Sequence, residues 1–409
     1  MKPNLHLASG NPHLNPLLWL LFSASALLMI GVIMISSASM DVAAETLGNG
    51  FYYVTRQVIY AAIGLALGLA VANVPVSWWQ RSGWLLLAIA MVLLVLVLTP
   101  LGREVNGATR WLPMGIFNIQ VSEVAKLFLV AYVAGYVDRR RDELVSTWSG
   151  FLKPLMVIGV ASVLLLMEPD FGATVVLAAA SLGMIFLSGV SLVRLIPLVA
   201  IAGVLAALLV YLEPYRMARM QSFLNPWADP FDKGYQLVQS LIAFGRGDWF
   251  GVGLGNSIQK LFYLPEAHTD FIFAIIAEEF GLFGALSVLA LFMVLVLSGL
   301  VISRRAEQSG MGFAGCFGYG LTLIIGLQAV VNMGVSTGLL PTKGLTLPLV
   351  SYGGSSMLVT CIALGILIRI EMERMDRAAT AAEEEKPSRQ QRSRTIPRAR
   401  PAAVGATYD

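Results

Sequence analysis

Across 409 residues the chain is 57% hydrophobic and only 13% charged, with a mean hydropathy of +0.73. That composition leaves too little polar surface for a soluble globule and describes an all-α, polytopic integral membrane protein. The formal net charge of +3 averages a nearly uncharged body and a basic tail, so it carries no sign of nucleic-acid binding.

Residues 1–15, rich in Asn, Pro and His, read as a disordered cytoplasmic tail. The apolar run Leu17–Ile35 is too long for the hydrophobic region of a signal peptide and is expected to be a retained first span. Further apolar segments near 56–73, 84–101, 120–137, 153–167, 172–188, 195–212, 270–302, 313–334 and 350–370 bring the total to ten. The eighth exceeds the roughly 20 residues that cross a bilayer, so it should tilt or break near Gly281 and Gly284.

Lys and Arg in the short loops set the orientation. With the N-terminus inside, the inner loops hold Arg81, Arg139, Arg140, Arg141, Lys153, Arg194, Arg304 and Arg305, against Arg56, Arg103, Arg110 and Lys343 outside. Both termini are therefore expected in the cytoplasm. The membrane domain then spans 16–373 and includes one large extracytoplasmic loop, 213–269. Residues 374–409, with Glu383, Glu384, Glu385 and repeated Arg and Pro, should form a disordered basic tail.

In this orientation the unusual polar residues share the outer side. The third loop holds Asn106-Gly107-Ala108-Thr109-Arg110-Trp111, and the fourth span opens as Gln120-Val121-Ser122-Glu123-Val124-Ala125-Lys126. Glu123 and Lys126, three apart, share a helix face. They are either a local ion pair or, since a charge inside a span costs about 2.5–3.5 kcal/mol, part of a site. Glu168-Pro169-Asp170-Phe171-Gly172 is a tight turn on the same side, whose acids either contribute to the site or, as the favoured reading, are solvated. Gly234–Gly284 carries Gly245, Gly247, Gly251, Gly253 and Gly255 and leads to Asp270 at the expected start of the eighth span. There Asp270 is either a cap on a helix dipole or a functional carboxylate. Glu278 and Glu279, two turns on, are candidates for a structural network with Lys126 or with loop residues. Gly338–Ser356, with Pro341, Lys343, Pro348, Ser351 and Gly353-Gly354-Ser355-Ser356, describes a rigid, re-entrant-like connection with close helix contact and one cation, Lys343.

Gly251-Val252-Gly253-Leu254-Gly255-Asn256 lacks the Gly-Lys-Ser/Thr ending of a phosphate loop, which argues against nucleotide binding. His6, His13 and His268 have no metal-ligand spacing, and Cys316 and Cys361 lie in apolar runs as packing residues. An outward-facing site without nucleotide needs a substrate that carries its own leaving group. A lipid-linked diphosphate meets that need, with Arg110, Lys126 and Lys343 to offset its charge.

Gly107-Ala108-Thr109-Arg110-Trp111, Glu168–Gly172, Gly251–Ser257, Gln259-Lys260-Leu261, Pro265–Phe273 and Ser351–Ser356 together resemble the SEDS family (shape, elongation, division and sporulation) of polytopic peptidoglycan glycosyltransferases. The likeness covers roughly 17–373. Lys343-Gly344-Leu345-Thr346-Leu347-Pro348 and Pro265-Glu266-Ala267-His268 resemble the division branch. Val121 departs from the family's usual proline, a change in how the helix starts.

The resemblance implies a SEDS fold and polymerisation of lipid II at the outer face of the bacterial inner membrane, at the division septum. It implies Asp270 as the catalytic carboxylate, with supporting roles for Arg110, Glu123 and Lys126; Trp111, Lys343 and Ser351 complete the expected substrate-binding set from their place in the outer segments. It also implies a class B penicillin-binding transpeptidase of the FtsI type and other division proteins as partners. No cofactor is certain, although Asp270 could hold a divalent cation, Mg or Mn, on the diphosphate. A lipid II flippase and a non-catalytic division scaffold are the alternative readings.

Overall fold

Ten long helices occupy the ten expected places in the computed structural model, which describes residues 15–105, 108–114, 117–212, 214–232, 234–341 and 344–394. They are α1 (Pro16–Leu47), α2 (Tyr52–Ala72), α4 (Gly83–Val97), α5 (Val121–Arg139), α7 (Trp148–Met167), α8 (Phe171–Leu187), α9 (Leu192–Leu212), α12 (Ile272–Gln308), α13 (Gly312–Ser336) and α14 (Gly354–Arg394). Between them lie the shorter α3 (Val76–Arg81), α6 (Arg141–Ser146), α10 (Pro214–Leu224) and α11 (Tyr235–Gly247). Seven of the long helices are long and apolar enough to cross a membrane, and α4 and α8 are shorter apolar helices.

The tenth, α5, carries Glu123, Lys126, Asp138 and Arg139, yet it is buried on nearly every face between α4, α8, α13 and α14. Helices on the rim of the bundle show lipid an apolar surface, while α5 and α13 at its centre show lipid almost none. The most apolar window of α13 is 72% buried, whereas that of α9 is 6% buried. Polar side chains at the centre are therefore partnered by protein, as the bilayer requires.

Two features differ from expectation. The third loop folds into a three-stranded antiparallel sheet of β1 (Arg103–Val105), β2 (Ala108–Met114) and β3 (Phe117–Gln120), with Trp111 opposite Gln120 and Arg103. Residues 374–394, expected to be a disordered tail, continue α14 as helix. Ala, Glu, Gln and Arg have high helix propensity, and Arg374 pairs with Glu371 one turn earlier at 2.7 Å. Residues 1–14 and 395–409 lie outside the described residues.

The eighth long helix, α12, breaks where the sequence suggests. Gly281 takes φ 68° and ψ −163°, which only glycine adopts readily. The loop after α11 fills the break. Val252 and Gly253 N–H donate to the Glu278 and Glu279 carbonyls at 3.0 Å each, and Leu282 N–H donates to Asp248 O at 2.9 Å. The backbone groups freed by the break are thus satisfied by chain rather than by water. A Cβ on Gly281 would lie 2.5 Å from backbone atoms of Gly251 and Trp249.

Glu278 and Glu279 hold the same loop from the other side. Buried Glu278 accepts from Arg246 at 2.8 Å, from the Ile258 N–H at 3.1 Å and from the Ser257 hydroxyl. Buried Glu279 accepts from Lys260 at 3.0 Å and from Ser37 of α1 at 2.6 Å. Both glutamates pair with loop residues and α1 rather than with Lys126.

Gly281→Ala should destabilise the protein by at least about 1–3 kcal/mol through strain alone, with the backbone clash added. Gly159→Ala, in open space on α7, should leave the thermal midpoint unchanged or raised. Thermal unfolding of the two variants in detergent checks both.

Candidate active site

The ends of several chain segments meet at one end of the bundle. Gln120 N–H at the end of β3 donates to Ser355 Oγ of α14 at 2.9 Å, and Ser122 donates to Asp170 at 2.9 Å. Gln57 of α2 donates to the Ser351 carbonyl at 3.3 Å. The sheet, the start of α5, the α7–α8 turn and the segment before α14 are thereby tied together.

Asp270 lies in a turn just before α12, not at its cap. Phe271 takes the cap position and makes no side-chain cap bond. Its carboxylate lies against the backbone of Gly344, where a Cβ would come 2.9 Å from Oδ2. Its main chain is held on both sides. Asp270 N–H donates to Glu266 O at 3.1 Å, and Asn332 Nδ2 donates to Asp270 O at 2.9 Å. Two residues earlier the ring of His268 sits 4.5 Å from that of Tyr53 and 5.9 Å from that of Tyr352, while Tyr352 N–H donates to His268 O at 2.9 Å. Burial lowers the His268 pKa, and nearby Glu266 offsets this in part, so the imidazole stays neutral.

Glu123 and Lys126 form a buried ion pair at 2.9 Å, with side chains 4% and 1% exposed. Lys126 also donates to Gln328 Oε1 at 3.1 Å. The ammonium is thus already balanced by a carboxylate and an amide. Gln328 Nε2 lies 3.4–3.5 Å from Ser356 Oγ and the Thr346 carbonyl, which links this pair to the segment that faces Asp270. Ser351 is buried and its hydroxyl accepts from the Leu347 N–H at 2.8 Å, closing the turn before α14. Leu349 inside that turn has φ 65°, a left-handed conformation for a buried β-unbranched side chain.

Arg110 and Trp111 belong to a neighbouring cluster. Arg110 Nε donates to Glu168 O at 3.3 Å and Nη2 to Pro169 O at 2.5 Å, so this guanidinium grips the α7–α8 turn. Half-buried Trp111 stands on β2 above it in sequence. Both acids of that turn are buried, contrary to their expected solvation, while Pro169 between them is exposed. Asp170 caps α8 through Ala173 N–H at 3.1 Å, and both carboxyl oxygens of Glu168 are buried without a hydrogen-bond partner. Burial first, then the charge of Asp170, pushes the Glu168 pKa up to about 8, with Arg110 pulling the other way. Lys343 lies outside the described residues, as do Asn106 and Gly107.

Two residues on α13 at this site have no counterpart among the sequence candidates. Gln328 and Asn332, four apart, are amides on one face of an apolar helix, and that spacing was the available signal. Among the described residues no group of three His, Cys, Asp or Glu could hold a metal ion. Cys316 and Cys361 are free and buried.

Residues 18–376 match the model of the cell cycle protein family that groups FtsW, RodA and SpoVE. A relative from Marinobacter nauticus, named probable peptidoglycan glycosyltransferase FtsW, is 68% identical over 370 residues, covering 90% of this chain and 93% of the relative. One of the same name from Hahella chejuensis is 54% identical over 368 residues, covering 90% and 93%. A solved structure described as structural coordination of polymerization and crosslinking by a peptidoglycan synthase complex superposes with a TM-score of 0.71 at 29% identity, covering 87% of this chain and 97% of that one. The Thermus thermophilus rod shape determining protein RodA superposes with a TM-score of 0.64 at 26% identity, covering 87% and 96%.

Lys126→Met would leave Glu123 charged and buried without its partner, and should cost about 3–5 kcal/mol of stability. Adding Glu123→Gln should recover much of that loss in thermal unfolding. For Glu168, the folded protein holds its proton up to about pH 8 while the unfolded chain releases it near 4.5, so stability falls as pH rises between those values. Glu168→Gln removes this slope. The midpoint of the variant relative to the wild type should therefore rise from pH 5 to pH 8 and level off above.

Proposed function

Because the chain belongs to the FtsW, RodA and SpoVE cell cycle protein family, we infer that it is a peptidoglycan glycosyltransferase of the division type, polymerising lipid II into glycan strands. The observation that carries this reading is identity of 50–68% to relatives bearing that name, over nearly the whole membrane body. The site supports it by offering a half-buried carboxylate, Asp270, in a turn fixed by main-chain bonds.

We assign Asp270 as general base. Its carboxylate takes the proton of the acceptor's 4-hydroxyl, and the oxygen attacks the anomeric carbon of the donor. The bond to the diphosphate breaks with its electron pair on the leaving phosphate oxygen. A single displacement converts an α-linked donor to a β-linked glycan. A carboxylate held by main-chain bonds is positioned before substrate arrives, which lowers the entropic part of the barrier.

For the diphosphate, Lys343 and Arg110 are the assigned counter-charges, with half-buried Trp111 beside Arg110 on β2, while Ser351 acts through the turn its hydroxyl closes. Lys126, paired with Glu123 and Gln328, acts through position and field rather than by contact. A divalent cation would rest on Asp270 and the diphosphate oxygens themselves.

We place both termini in the cytoplasm and the site at the outer face of the inner membrane, at the septum, from the Lys and Arg distribution and the family. A class B penicillin-binding transpeptidase of the FtsI type is the proposed partner, since the solved peptidoglycan synthase complex joins polymerization to crosslinking. A flippase needs polar groups along a path between the two faces. Here the buried Glu123, Lys126, Glu168 and Asp170 gather with Asp270 at one end, which favours polymerisation.

With purified lipid II and the transpeptidase partner in detergent, wild type should form glycan polymer. Asp270→Asn, folded and partner-bound, should form less than about one hundredth as much, in the range expected for loss of a general base. Equal polymer from both removes Asp270 from the mechanism, and none from either sends the reading to a flipping assay.

A further inference from the structure

We propose that Asn332 and Gly344 are positioning residues for the Asp270 carboxylate, an inference that rests on the glycosyltransferase reading and deepens it. One Asn332 amide nitrogen donates to two carbonyls from distant segments, Asp270 O at 2.9 Å and Leu345 O at 2.6 Å. Both partners are acceptors only, so the –NH2 end of the side chain is fixed in this direction. The amide therefore clamps the turn that carries Asp270 to the segment that begins at Gly344.

The consequence is geometric. With the two main chains clamped, the Asp270 carboxylate lies over Gly344, and it can do so because that residue has no side chain. A Cβ there would fall 2.9 Å from Oδ2 and 3.8 Å from Oδ1. Gly344 acts as a floor that sets how far the carboxylate can descend.

The clamp is itself held. Asn332 lies on α13 between Gln328 and Ser336, each four residues away, so the three share a helix face. Gln328 engages Lys126, and Ser336 Oγ donates to the Asn332 carbonyl at 3.0 Å. The Ser336 carbonyl accepts from Ser240 of α11 at 2.6 Å. This polar stripe joins the buried ion pair, the Asp270 turn and the outer-loop helix α11.

Asn332 also carries an unusual feature for a structural staple. Its Oδ1 is buried with no partner, although both donor contacts are made. A residue serving stability alone gains from one half of this amide and pays for the other half in lost hydration. An amide held at that cost fits a role in placing Asp270.

The test compares wild type, Asp270→Asn, Asn332→Asp and Gly344→Ala as full chains with the transpeptidase partner. Polymer formation is measured against lipid II concentration and pH, and thermal midpoints are measured alongside. Asn332→Asp removes the donor at constant size, while Gly344→Ala leaves the Asn332 amide in place and presses on the carboxylate. We expect kcat to fall about 10- to 100-fold in both, the range for a misplacement near 1 Å. KM for lipid II should stay within about two-fold, as for a group acting only in the transition state, and the acid limb of the kcat profile should move.

Wild-type kcat in Gly344→Ala overturns the positioning role. So does a loss in both variants that tracks a lowered midpoint while the acid limb stays in place. If wild type makes no polymer, or Asp270→Asn equals it, the glycosyltransferase reading has failed and the positioning role falls with it. A dead Asp270→Asn beside fully active Asn332→Asp and Gly344→Ala overturns the positioning role alone.

Discussion

Lipid offers no hydrogen bonds, and the arrangement of this protein follows from that constraint. A polar residue placed in the bundle must find protein partners, so each one dictates which helices touch. Lys126 is a fully buried long cationic side chain, and its ammonium is met by Glu123 from its own helix and Gln328 from α13. The interaction fixes α5 against α13 at the centre, and rim helices such as α9 are left to face lipid with apolar surface. A buried ion pair adds little net stability compared with an apolar pair, but a single register satisfies it. Here that register also brings the start of α5 beside the segment before α14.

The second organising feature is the broken α12. A continuous helix from Ile272 to Gln308 would leave the loop after α11 without anchors in the bundle. Breaking at Gly281 frees backbone groups that the loop then satisfies, and Glu278 and Glu279 add side-chain bonds to Arg246, Ser257, Lys260 and Ser37. Buried carboxylates paired in this way cost desolvation that only a complete set of partners returns. The nine residues between Phe271 and the break at Gly281 therefore form a short, tightly held unit with Asp270 at its head. Displacing the loop from this unit would break the buried Lys260–Glu279 pair and the half-exposed Arg246–Glu278 pair.

How much of this was legible in the sequence depended on which physical signal carried it. The places of the long helices and the break at Gly281 follow from run length and from glycine, both local properties. The pairing of Glu123 with Lys126 follows from their spacing of three on a helix. The partners of Glu278 and Glu279 are not local: Ser37 is 242 residues from Glu279, and no periodicity links them. The α7–α8 turn was misjudged because Glu168 and Asp170 read as a solvated acidic loop. The arm of Arg110, delivered by a sheet that loop composition did not announce, covers it. Gln328 and Asn332 were visible as amides in an apolar helix but carry no charge, and the search for a site followed charge. Residues 374–394 were misread because a composition poor in apolar residues describes both a disordered tail and a solvated extension of a helix already nucleated in the membrane.

Several unfavourable features lie around the proposed site. Leu349 holds a left-handed backbone in the turn before α14, Asn332 keeps an orphan acceptor, and Glu168 keeps two carboxyl oxygens without partners. Each costs on the order of 1–3 kcal/mol and none is needed to pack helices, since α2 against α14 or α12 against α13 shows how simply apolar faces and glycines do that. All three lie in or next to the segments that surround Asp270, whereas the opposite end of the bundle is held by ordinary pairs such as Arg141 with Glu307. Stability lost locally is tolerated because the central helices are over-determined. That is the pattern expected when a scaffold holds a reacting group in a geometry the chain would not choose unaided.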